Sequence, residues 1–245
     1  MGPLRGPRIL IYHQIGAGLG REMEVSLSAF KAQMDWLADN GEIVDLETAL
    51  ATRTQPGTEN QYVLTFDDGY DDMFRLAYPL LLDRQLPFTL YLTTHPTESG
   101  EPLFPGGSAE PITWDQVKTM RESGLMTLGA HTHRHGDMRT TSRGEAREDL
   151  ERSNELIESR TGERPRHFTY PWGYWSADAD PVVRDLYVSA TVGSGVGSGD
   201  QADEFKVNRI PVQLSDGVVF FKRKMHRGLQ AEDKLRRKLR GYAGP

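Results

Sequence analysis

The stretch YVLTFDDGYDDMF, residues 62–74, carries an apolar segment directly into four carboxylates. Its first half is rich in β-branched and aromatic residues, which is typical of a buried strand. Asp67 and Asp68 then follow as an adjacent pair of like charges. Two carboxylates held together repel each other, and burial of either one is costly unless a cation or a proton compensates. The pair therefore indicates either a solvated turn or a site that holds a positive charge.

Strand and helix patterns alternate along the chain on both sides of this stretch. The predicted strands lie in RILIY (8–12), EIVDL (42–46), YVLTF (62–66), PFTLYLTT (87–94), LMTLGA (125–130), RHFTYPWG (166–173), LYVSATVG (186–193) and FKVNRIPVQ (205–213). The predicted helices lie in 26–41, 71–85 with a kink or early break at Pro79, 113–124 and 142–160, and residues 95–112 form a Pro/Gly-rich loop. Alternation of this kind predicts βαβ units and a largely parallel sheet. About seven such units predict an α/β fold, a distorted and incomplete (β/α) barrel.

Polar residues cluster where several of the predicted strands end. His13 follows the first strand, the Asp67–Asp68 pair follows YVLTF, residues 131–135 follow LMTLGA, and residues 170–173 close RHFTYPWG. In (β/α) barrels the active site lies at the carboxyl ends of the strands. We therefore expect these clusters to form a single active site.

The segment GAHTHRHGDM places His131, His133 and His135 within five residues. Alternate histidines share a side of an extended segment, and His131 and His135 share a face of a helical turn. Either geometry supplies two imidazoles to one metal ion. A carboxylate from the Asp67–Asp68 pair would complete a two-histidine, one-carboxylate set, which suits zinc hydrolysis or non-haem iron chemistry. One aspartate would then bind the cation while the other stays ionised as a base. The alternative is a solvated turn beside a histidine-rich loop.

The composition is that of an ordinary globular protein, with 37% hydrophobic and 26% charged residues in a chain of 245. No apolar run approaches the ~20 residues needed to span a bilayer. The first fifteen residues resemble a strand more than a signal peptide, so we expect a cytoplasmic protein, although a processed secreted form would look the same. The absence of cysteine excludes disulfides, thiolate metal sites and a cysteine nucleophile.

Charge is unevenly spread along the chain, whose formal net charge is −6. Residues 221–240 contain nine Lys or Arg against one Glu and one Asp, a local charge of +7. The simple interpretation is a solvated terminal helix; the other is a docking segment for an acidic partner. No nucleic-acid-binding motif accompanies the charge, so we expect no nucleic-acid partner. We accordingly divide the chain into a domain over 1–220 and a basic, predicted helical tail over 221–245.

Three motifs together resemble those of the polysaccharide deacetylase family, the NodB-homology proteins of carbohydrate esterase family 4. TFDDG (65–69) and HTHRH (131–135) resemble its first two motifs, and FTYPWG (168–173) resembles its third, Phe-Arg-x-Pro-Tyr-Gly. The likeness covers roughly residues 8–215. It implies the distorted (β/α) barrel of the NodB type and a divalent metal, zinc first, with cobalt, nickel, iron and manganese as alternatives.

The resemblance also implies a role for each motif residue. Asp68, His131 and His135 would bind the metal, and Asp67 would be the general base. His133 falls on a variable position of the second motif. The backbone N–H of Trp172 would donate to the oxyanion.

The chain departs from the family pattern in two places. Thr169 stands where the third motif usually has the arginine that orients the base. Relatives resembling the poly-N-acetylglucosamine deacetylases also lack that arginine, and Arg209 could substitute for it. The late Leu-x-His motif, which carries the general acid, has no clear copy near the C-terminus. ILIYHQI instead places an apolar-x-His at residues 11–13, as in the circularly permuted subgroup, and this makes His13 the candidate acid, with His226 as the weaker choice.

Four aromatic residues surround the third motif, namely Tyr170, Trp172, Tyr174 and Trp175. We expect some of them in the core and others along the cleft, and take Tyr170, Trp175 and Arg209 as candidate substrate-binding residues. The predicted function is metal-dependent removal of an N-acetyl group from an N-acetylamino sugar. The alternatives are deacetylation of a small cytosolic natural product or nucleotide sugar, a non-haem iron oxygenase, and a catalytically inactive sugar-binding module.

Overall fold

The computed structural model describes residues 6–104, 106–193 and 203–227. Its strands are β1 (Arg8–Tyr12), β2 (Gln14–Ile15), β3 (Glu24–Val25), β4 (Glu42–Ile43), β5 (Gln61–Phe66), β6 (Phe88–Leu92), β7 (Met126–Ala130), β8 (His167–Thr169), β9 (Ser189–Val192), β10 (Val207–Asn208) and β11 (Ile210–Pro211). Its α-helices are α1 (Leu27–Asn40), α2 (Leu46–Thr52), α3 (Tyr78–Asp83), α4 (Thr94–Ser99), α5 (Trp114–Glu122), α6 (Arg143–Thr161), α7 (Asp180–Leu186) and α8 (Gly217–Arg227). A π-helical segment, Met73–Ala77, precedes α3, and short 3₁₀ turns cover Pro171–Gly173 and Leu214–Asp216.

The main sheet is parallel and almost closes into a barrel. Its strand order is β10-β9-β8-β7-β6-β5-β1-β11, with β4 paired to the start of β5. β10 and β11 occupy opposite ends of this order, although a single residue, Arg209, separates them in the chain. The barrel therefore has one unsealed seam, and the chain itself crosses that seam at Arg209. This architecture confirms the predicted distorted (β/α) barrel.

The core forms because the central strands are apolar on both faces. Every residue of β1 and β6 is buried, as expected for parallel strands covered by helices. On α1 the apolar stripe of Phe30, Met34 and Leu37 is buried against the strands. Ser26 caps this helix by accepting a hydrogen bond from the Ala29 N–H, which satisfies one of the N–H groups left open at a helix start.

Several elements differ from the sequence prediction. α4 occupies the start of the predicted 95–112 loop, and α7 fills a stretch for which no helix was predicted. The segment FKVNRIPVQ forms two short strands on opposite ends of the sheet rather than one. Pro79 lies in the first turn of α3, directly after the π-helical segment, because proline has no N–H to continue the preceding helical hydrogen bonds.

α8 spans the predicted domain boundary at residue 220. Phe221 and Met225 on this helix are buried in the main core. Lys224 is buried as well and donates to Asp216 over 2.6 Å and to the Pro211 carbonyl over 2.8 Å. The rest of the predicted tail, 228–245, and the glycine-rich stretch 194–202 lie outside the described residues. Within the described part of the chain, no helix combines the length and apolar character needed to cross a membrane.

Candidate metal centre and active site

A tight turn after β5 separates the side chains of Asp67 and Asp68. The Asp67 N–H donates to the Tyr12 carbonyl over 2.9 Å, and the β1–β5 register pairs Tyr12 with Phe66, so His13 lies beside Asp67. Asp68 then adopts a left-handed conformation, with φ at 72°. The next residue is Gly69, whose φ is 86° and where a Cβ would lie only 2.5 Å from the Leu92 Cδ1 atom. The positive φ favours glycine there, and the turn it permits lets the two carboxylates point to different partners.

Asp68 meets two histidines from the segment that follows β7. Its Oδ1 atom lies 3.3 Å from Nε2 of His131 and 3.2 Å from Nε2 of His135. One ligand atom from each of the three residues lies within 4.8 Å of the others, and all three residues are buried. The Nδ1 atom of His131 is 2.8 Å from the Thr169 carbonyl, which can accept a hydrogen bond from Nδ1–H. The Nε2 atom, which then carries the lone pair of the neutral ring, faces Asp68.

The donor set fits a divalent cation. Asp68 Oδ1 is buried and accepts no well-aligned hydrogen bond from the described residues, a costly state for a carboxylate with no compensating charge. Burial alone lowers the pKa of His131, but the carboxylates of Asp68 and Asp67 outweigh burial and hold that pKa above its usual value. The pocket thus favours positive charge. Two imidazole nitrogens and one carboxylate form a set that binds zinc or another first-row divalent metal and leaves coordination positions open.

Asp67 is held by a fully buried arginine. The Nη1 and Nη2 atoms of Arg209 donate to the two carboxylate oxygens of Asp67, each over 2.7 Å. The same guanidinium donates to the Thr65 hydroxyl over 2.8 Å and to the Thr169 hydroxyl over 2.6 Å. Burial alone raises the pKa of Asp67, but the Arg209 guanidinium outweighs burial and holds that pKa below its usual value. Asp67 is therefore an ionised carboxylate with a fixed orientation beside Asp68, His131 and His135.

His13 borders the same pocket from the end of β1. Burial lowers the pKa of its imidazole, although the Asp68 and Asp67 carboxylates act in the opposite direction. Its Nδ1 atom is buried and has no hydrogen-bond partner among the described residues. A buried polar atom without a partner is uncommon in folded proteins, and this marks the imidazole of His13 as a candidate functional group.

The third motif forms a strained turn beside the histidines. Trp172 has φ at 54°, a left-handed conformation that costs a non-glycine residue about 1 kcal/mol. Its ring centroid lies 4.6 Å from that of His135. Among the described residues, five other than glycine have positive φ, and four of these lie in this site: Asp68, Thr132, His135 and Trp172. Backbone strain of this kind concentrates at functional sites.

The three predicted substrate-binding residues all make contacts within the protein. Tyr170 is fully buried, and its ring packs edge-on against Phe168, so it belongs to the core. Arg209 is 1% exposed and holds Asp67, which leaves it no surface for a substrate and matches the substitution for the missing motif arginine. Trp175 donates to Asp180 over 2.9 Å, and the Lys206 ammonium lies 3.8 Å from its ring centroid, so that its indole is already engaged within the protein.

Sequence reasoning missed two positioning residues, Thr169 and Asp149. Thr169 supports both halves of the site, because its hydroxyl accepts from Arg209 and its carbonyl faces His131. Asp149 on α6 accepts the backbone N–H groups of His133 and Arg134 over 2.7 and 3.1 Å, which fixes the histidine-containing loop. The contact between Thr169 and Arg209 had one signal in the sequence: with threonine in place of the motif arginine, Asp67 needed a cation from elsewhere in the chain. Nothing in the sequence pointed to Asp149.

Comparison with known proteins gives a consistent result. The family model described as "Polysaccharide deacetylase" matches residues 54–190 of the chain. One relative is the "Putative polysaccharide deacetylase YxkH" of Bacillus subtilis (strain 168), which is 26% identical over 198 residues. That match covers 79% of this chain and 67% of YxkH. The poly-beta-1,6-N-acetyl-D-glucosamine N-deacetylase of Staphylococcus aureus (strain MRSA252) is 24% identical over 177 residues. That match covers 67% of this chain and 59% of the staphylococcal enzyme.

Solved structures share the fold. IcaB from Ammonifex degensii superposes with a TM-score of 0.71 at 24% sequence identity, over 86% of this chain and 94% of that one. At this level of identity the likeness concerns the barrel architecture alone.

Proposed function

Because this chain belongs to the polysaccharide deacetylase family, we propose that it hydrolyses the N-acetyl group of an N-acetylated amino sugar within a glycan, with the help of a divalent cation. The observation that carries the proposal is the convergence of a buried Asp68–His131–His135 group with an arginine-held carboxylate, Asp67. A staphylococcal relative is named as a poly-beta-1,6-N-acetyl-D-glucosamine N-deacetylase. This name supports that polymer as the first substrate to test.

Asp68, His131 and His135 would hold the cation, which we take to be zinc. A bound divalent cation lowers the pKa of a water molecule and polarises an amide carbonyl. The protein contributes the orientation of its three ligands, fixed for His131 by the hydrogen bond to Thr169 and for His135 by the bond from its backbone N–H to the Thr132 hydroxyl, at 2.8 Å.

Asp67 would act as the general base. It is ionised and its two oxygens are fixed by Arg209, so that one remaining lone pair accepts the proton of the attacking water without a change of rotamer. A pKa below the usual carboxylate value makes Asp67 a weak base, and its effect depends on a water molecule that is already acidic. Positioning, not basicity, is therefore what Arg209 supplies.

His13 and Trp172 would complete the reaction. An amine leaves an acetyl carbon only with a proton, and the imidazole of His13 would donate that proton to the sugar nitrogen. Burial lowers the pKa of His13, while the Asp68 and Asp67 carboxylates act to raise it, so these two carboxylates would help His13 to hold the proton that it donates. The backbone N–H of Trp172 would donate to the negatively charged oxygen that develops at the carbonyl. The left-handed turn at Trp172 supports this assignment, since it sets the direction of that backbone segment beside His135.

The test is acetate release by the zinc-loaded protein. We expect acetate from oligomers of β-1,6-linked N-acetylglucosamine, and a loss of about 10²-fold or more in kcat for His13→Ala, as is typical for removal of a general acid. His226→Ala is the matched control, because His226 is exposed on α8 and packs against Trp36.

Three outcomes would count against the proposal. Acetate release that is insensitive to Asp68→Ala would show that the activity does not belong to this site. Release from monomeric or nucleotide-linked sugars alone would replace the glycan by a small substrate. No release from any N-acetyl sugar, with zinc bound, would mean that the acyl group or the substrate class is different.

A further inference from the structure

Two exposed aromatic rings contact the same metal-site histidine. The ring centroid of Phe104 lies 5.7 Å from that of His135, with the planes at 89°, and that of Trp172 lies 4.6 Å away, at 70°. Phe104 is 42% exposed and Trp172 is 50% exposed. Among the described phenylalanines and tryptophans, only Phe220 on α8 is comparably exposed, at 40%. The exposed aromatic surface of this part of the chain is thus concentrated at the mouth of the site.

The loop that carries Phe104 is tied to the turn that carries Asp68. The Ile112 N–H donates to the Gly69 carbonyl and the Asp71 N–H donates to the Glu110 carbonyl, both over 2.9 Å. The Gly107 N–H closes a turn onto the Phe104 carbonyl at the same distance. Phe104 therefore reaches His135 from the α4–α5 loop, whereas Trp172 reaches it from the segment after β8. The two rings border one imidazole from independent elements.

The chemistry of a sugar ring explains why such rings would stay exposed. Each pyranose has an apolar face of C–H groups, which stacks on an aromatic ring while the hydroxyl groups remain in water. Exposed apolar surface at the edge of a polar site marks a binding surface, and aromatic rings bring a large contact area at a small entropic cost. A ring whose only task was to shield His135 from water would keep little of its own surface exposed, whereas Phe104 and Trp172 keep 42% and 50% of theirs.

We propose that Phe104, together with the ring of Trp172, forms a stacking subsite for the sugar rings that neighbour the one being deacetylated. This inference rests on the proposed function. It makes Phe104 a specificity-determining residue, because a chain of several sugars gains a contact that a single N-acetyl sugar does not. The site would accordingly favour oligomers over monomers through binding and not through the chemical step.

The experiment compares Phe104→Ala, Phe104→Tyr and Phe220→Ala in zinc-loaded protein. Phe220→Ala is the matched control, since it removes an equally exposed ring from a helix that carries none of the site residues. Two readouts are taken on a monomer and a pentamer of β-1,6-linked N-acetylglucosamine: kcat and KM for acetate release, and Kd for the de-N-acetylated pentamer by calorimetry, which needs no turnover. Phe104→Ala should raise KM and Kd for the pentamers about 3- to 10-fold. The value of kcat and the monomer KM should stay unchanged, and Phe104→Tyr should restore pentamer binding.

Other results would overturn the inference. A lower kcat at unchanged KM would show that Phe104 acts by positioning His135, and an equal effect on monomer and pentamer would remove the subsite. No acetate from the wild type, together with pentamer binding that depends on Phe104, would defeat the proposed function and leave the subsite standing. Acetate from the wild-type protein with the pentamer, together with a pentamer KM and Kd that Phe104→Ala leaves unchanged, would defeat the subsite and leave the proposed function standing.

Discussion

At the residue scale, Asp67 and Arg209 depend on each other. Both side chains are buried, and each oxygen of the carboxylate accepts one guanidinium N–H. Removal of one member of a buried ion pair leaves an uncompensated charge, which typically costs about 3–5 kcal/mol. A substitution at Asp67 therefore changes the stability of the protein as well as its chemistry, and the two effects have to be separated.

We expect Asp67→Asn to lose acetate release by about 10²-fold or more and also to lower the unfolding temperature. The double variant Asp67→Asn/Arg209→Gln removes both charges, so it should recover most of the lost stability and none of the activity. Thermal unfolding and acetate release measured on the three proteins test this. Near-normal turnover in Asp67→Asn would end the assignment of Asp67 as the base.

Thr169 allows a sharper test of how the arginine is positioned. Thr169→Val deletes the hydroxyl that accepts from Arg209 over 2.6 Å and keeps the backbone carbonyl that faces His131. Loss of one buried acceptor for a charged donor should cost about 1–3 kcal/mol, measured by denaturant unfolding, and lower kcat with little change in zinc affinity.

Thr89→Val is the matched control for that measurement. Thr89 is equally buried, and its hydroxyl has no hydrogen-bond partner in the described part of the chain. The same change should therefore leave stability unaltered or slightly raised. Equal destabilisation by the two substitutions would show that packing volume, and not the bond to Arg209, determines the result.

At the element scale, Asp72 joins β2 to the π-helical segment that it precedes. Its carboxylate accepts from the Ile15 N–H over 2.9 Å and from the Gln14 amide over 3.5 Å. Burial nevertheless raises the pKa of Asp72 to about 6. The folded state therefore binds this proton more tightly than the unfolded state. The stabilising effect of that proton is fully present below the ordinary carboxylate pKa and is lost as the pH rises through about 6.

Asp72→Asn should remove this pH dependence. The wild type should lose about 2 kcal/mol of unfolding free energy between about pH 4 and pH 7.5 relative to the variant. Urea unfolding of both proteins across that range is the measurement, and Asp178→Asn, at an exposed carboxylate, is the control. A difference between wild type and Asp72→Asn that does not vary with pH would contradict the expectation.

Elements with strong local signals were predictable from the sequence. The strands β1, β5, β6 and β7 are apolar runs with clear ends, and α1, α5 and α6 have side-chain caps. α7 escaped prediction because its apolar stripe is short and it begins at Ala179-Asp180-Pro181 without a side-chain cap. The division of FKVNRIPVQ into β10 and β11 was not predictable either, because β10 pairs with the preceding strand β9 whereas β11 pairs with β1, near the other end of the chain.

At the scale of the whole molecule, the seam of the barrel explains the unusual position of the arginine. The chain leaves β10 at one end of the sheet and enters β11 at the other end, and Arg209 lies between them. From this position its side chain reaches Thr65 on β5 and Thr169 on β8. The grouping of His131 with His135 could be predicted because their spacing is local, whereas the contact between Arg209 and Asp67 depends on how the barrel closes.

Binding of a cation by Asp68, His131 and His135 should also raise the stability of the folded protein. A ligand that binds the folded state alone stabilises it by about 2.7 kcal/mol at a hundredfold excess over its Kd. For a chain of this size that corresponds to an increase in Tm of roughly 5–10 °C. Because Asp68, His131 and His135 come from the ends of two strands, β5 and β7, zinc would connect elements that are distant in the chain. We therefore expect zinc to raise the Tm and a chelator to reverse the change, both measured by scanning calorimetry.

His131→Ala and His133→Ala distinguish a specific site from general binding to histidine. The two residues are separated by a single position, but His131 faces Asp68 whereas the Nδ1 atom of His133 lies 2.9 Å from the Thr94 hydroxyl. His131→Ala should abolish the zinc-dependent increase in Tm, and His133→Ala should retain it. The opposite pattern would mean that the cation binds at the protein surface near His95, whose ring lies 5.4 Å from that of His133, and that the buried group has another role.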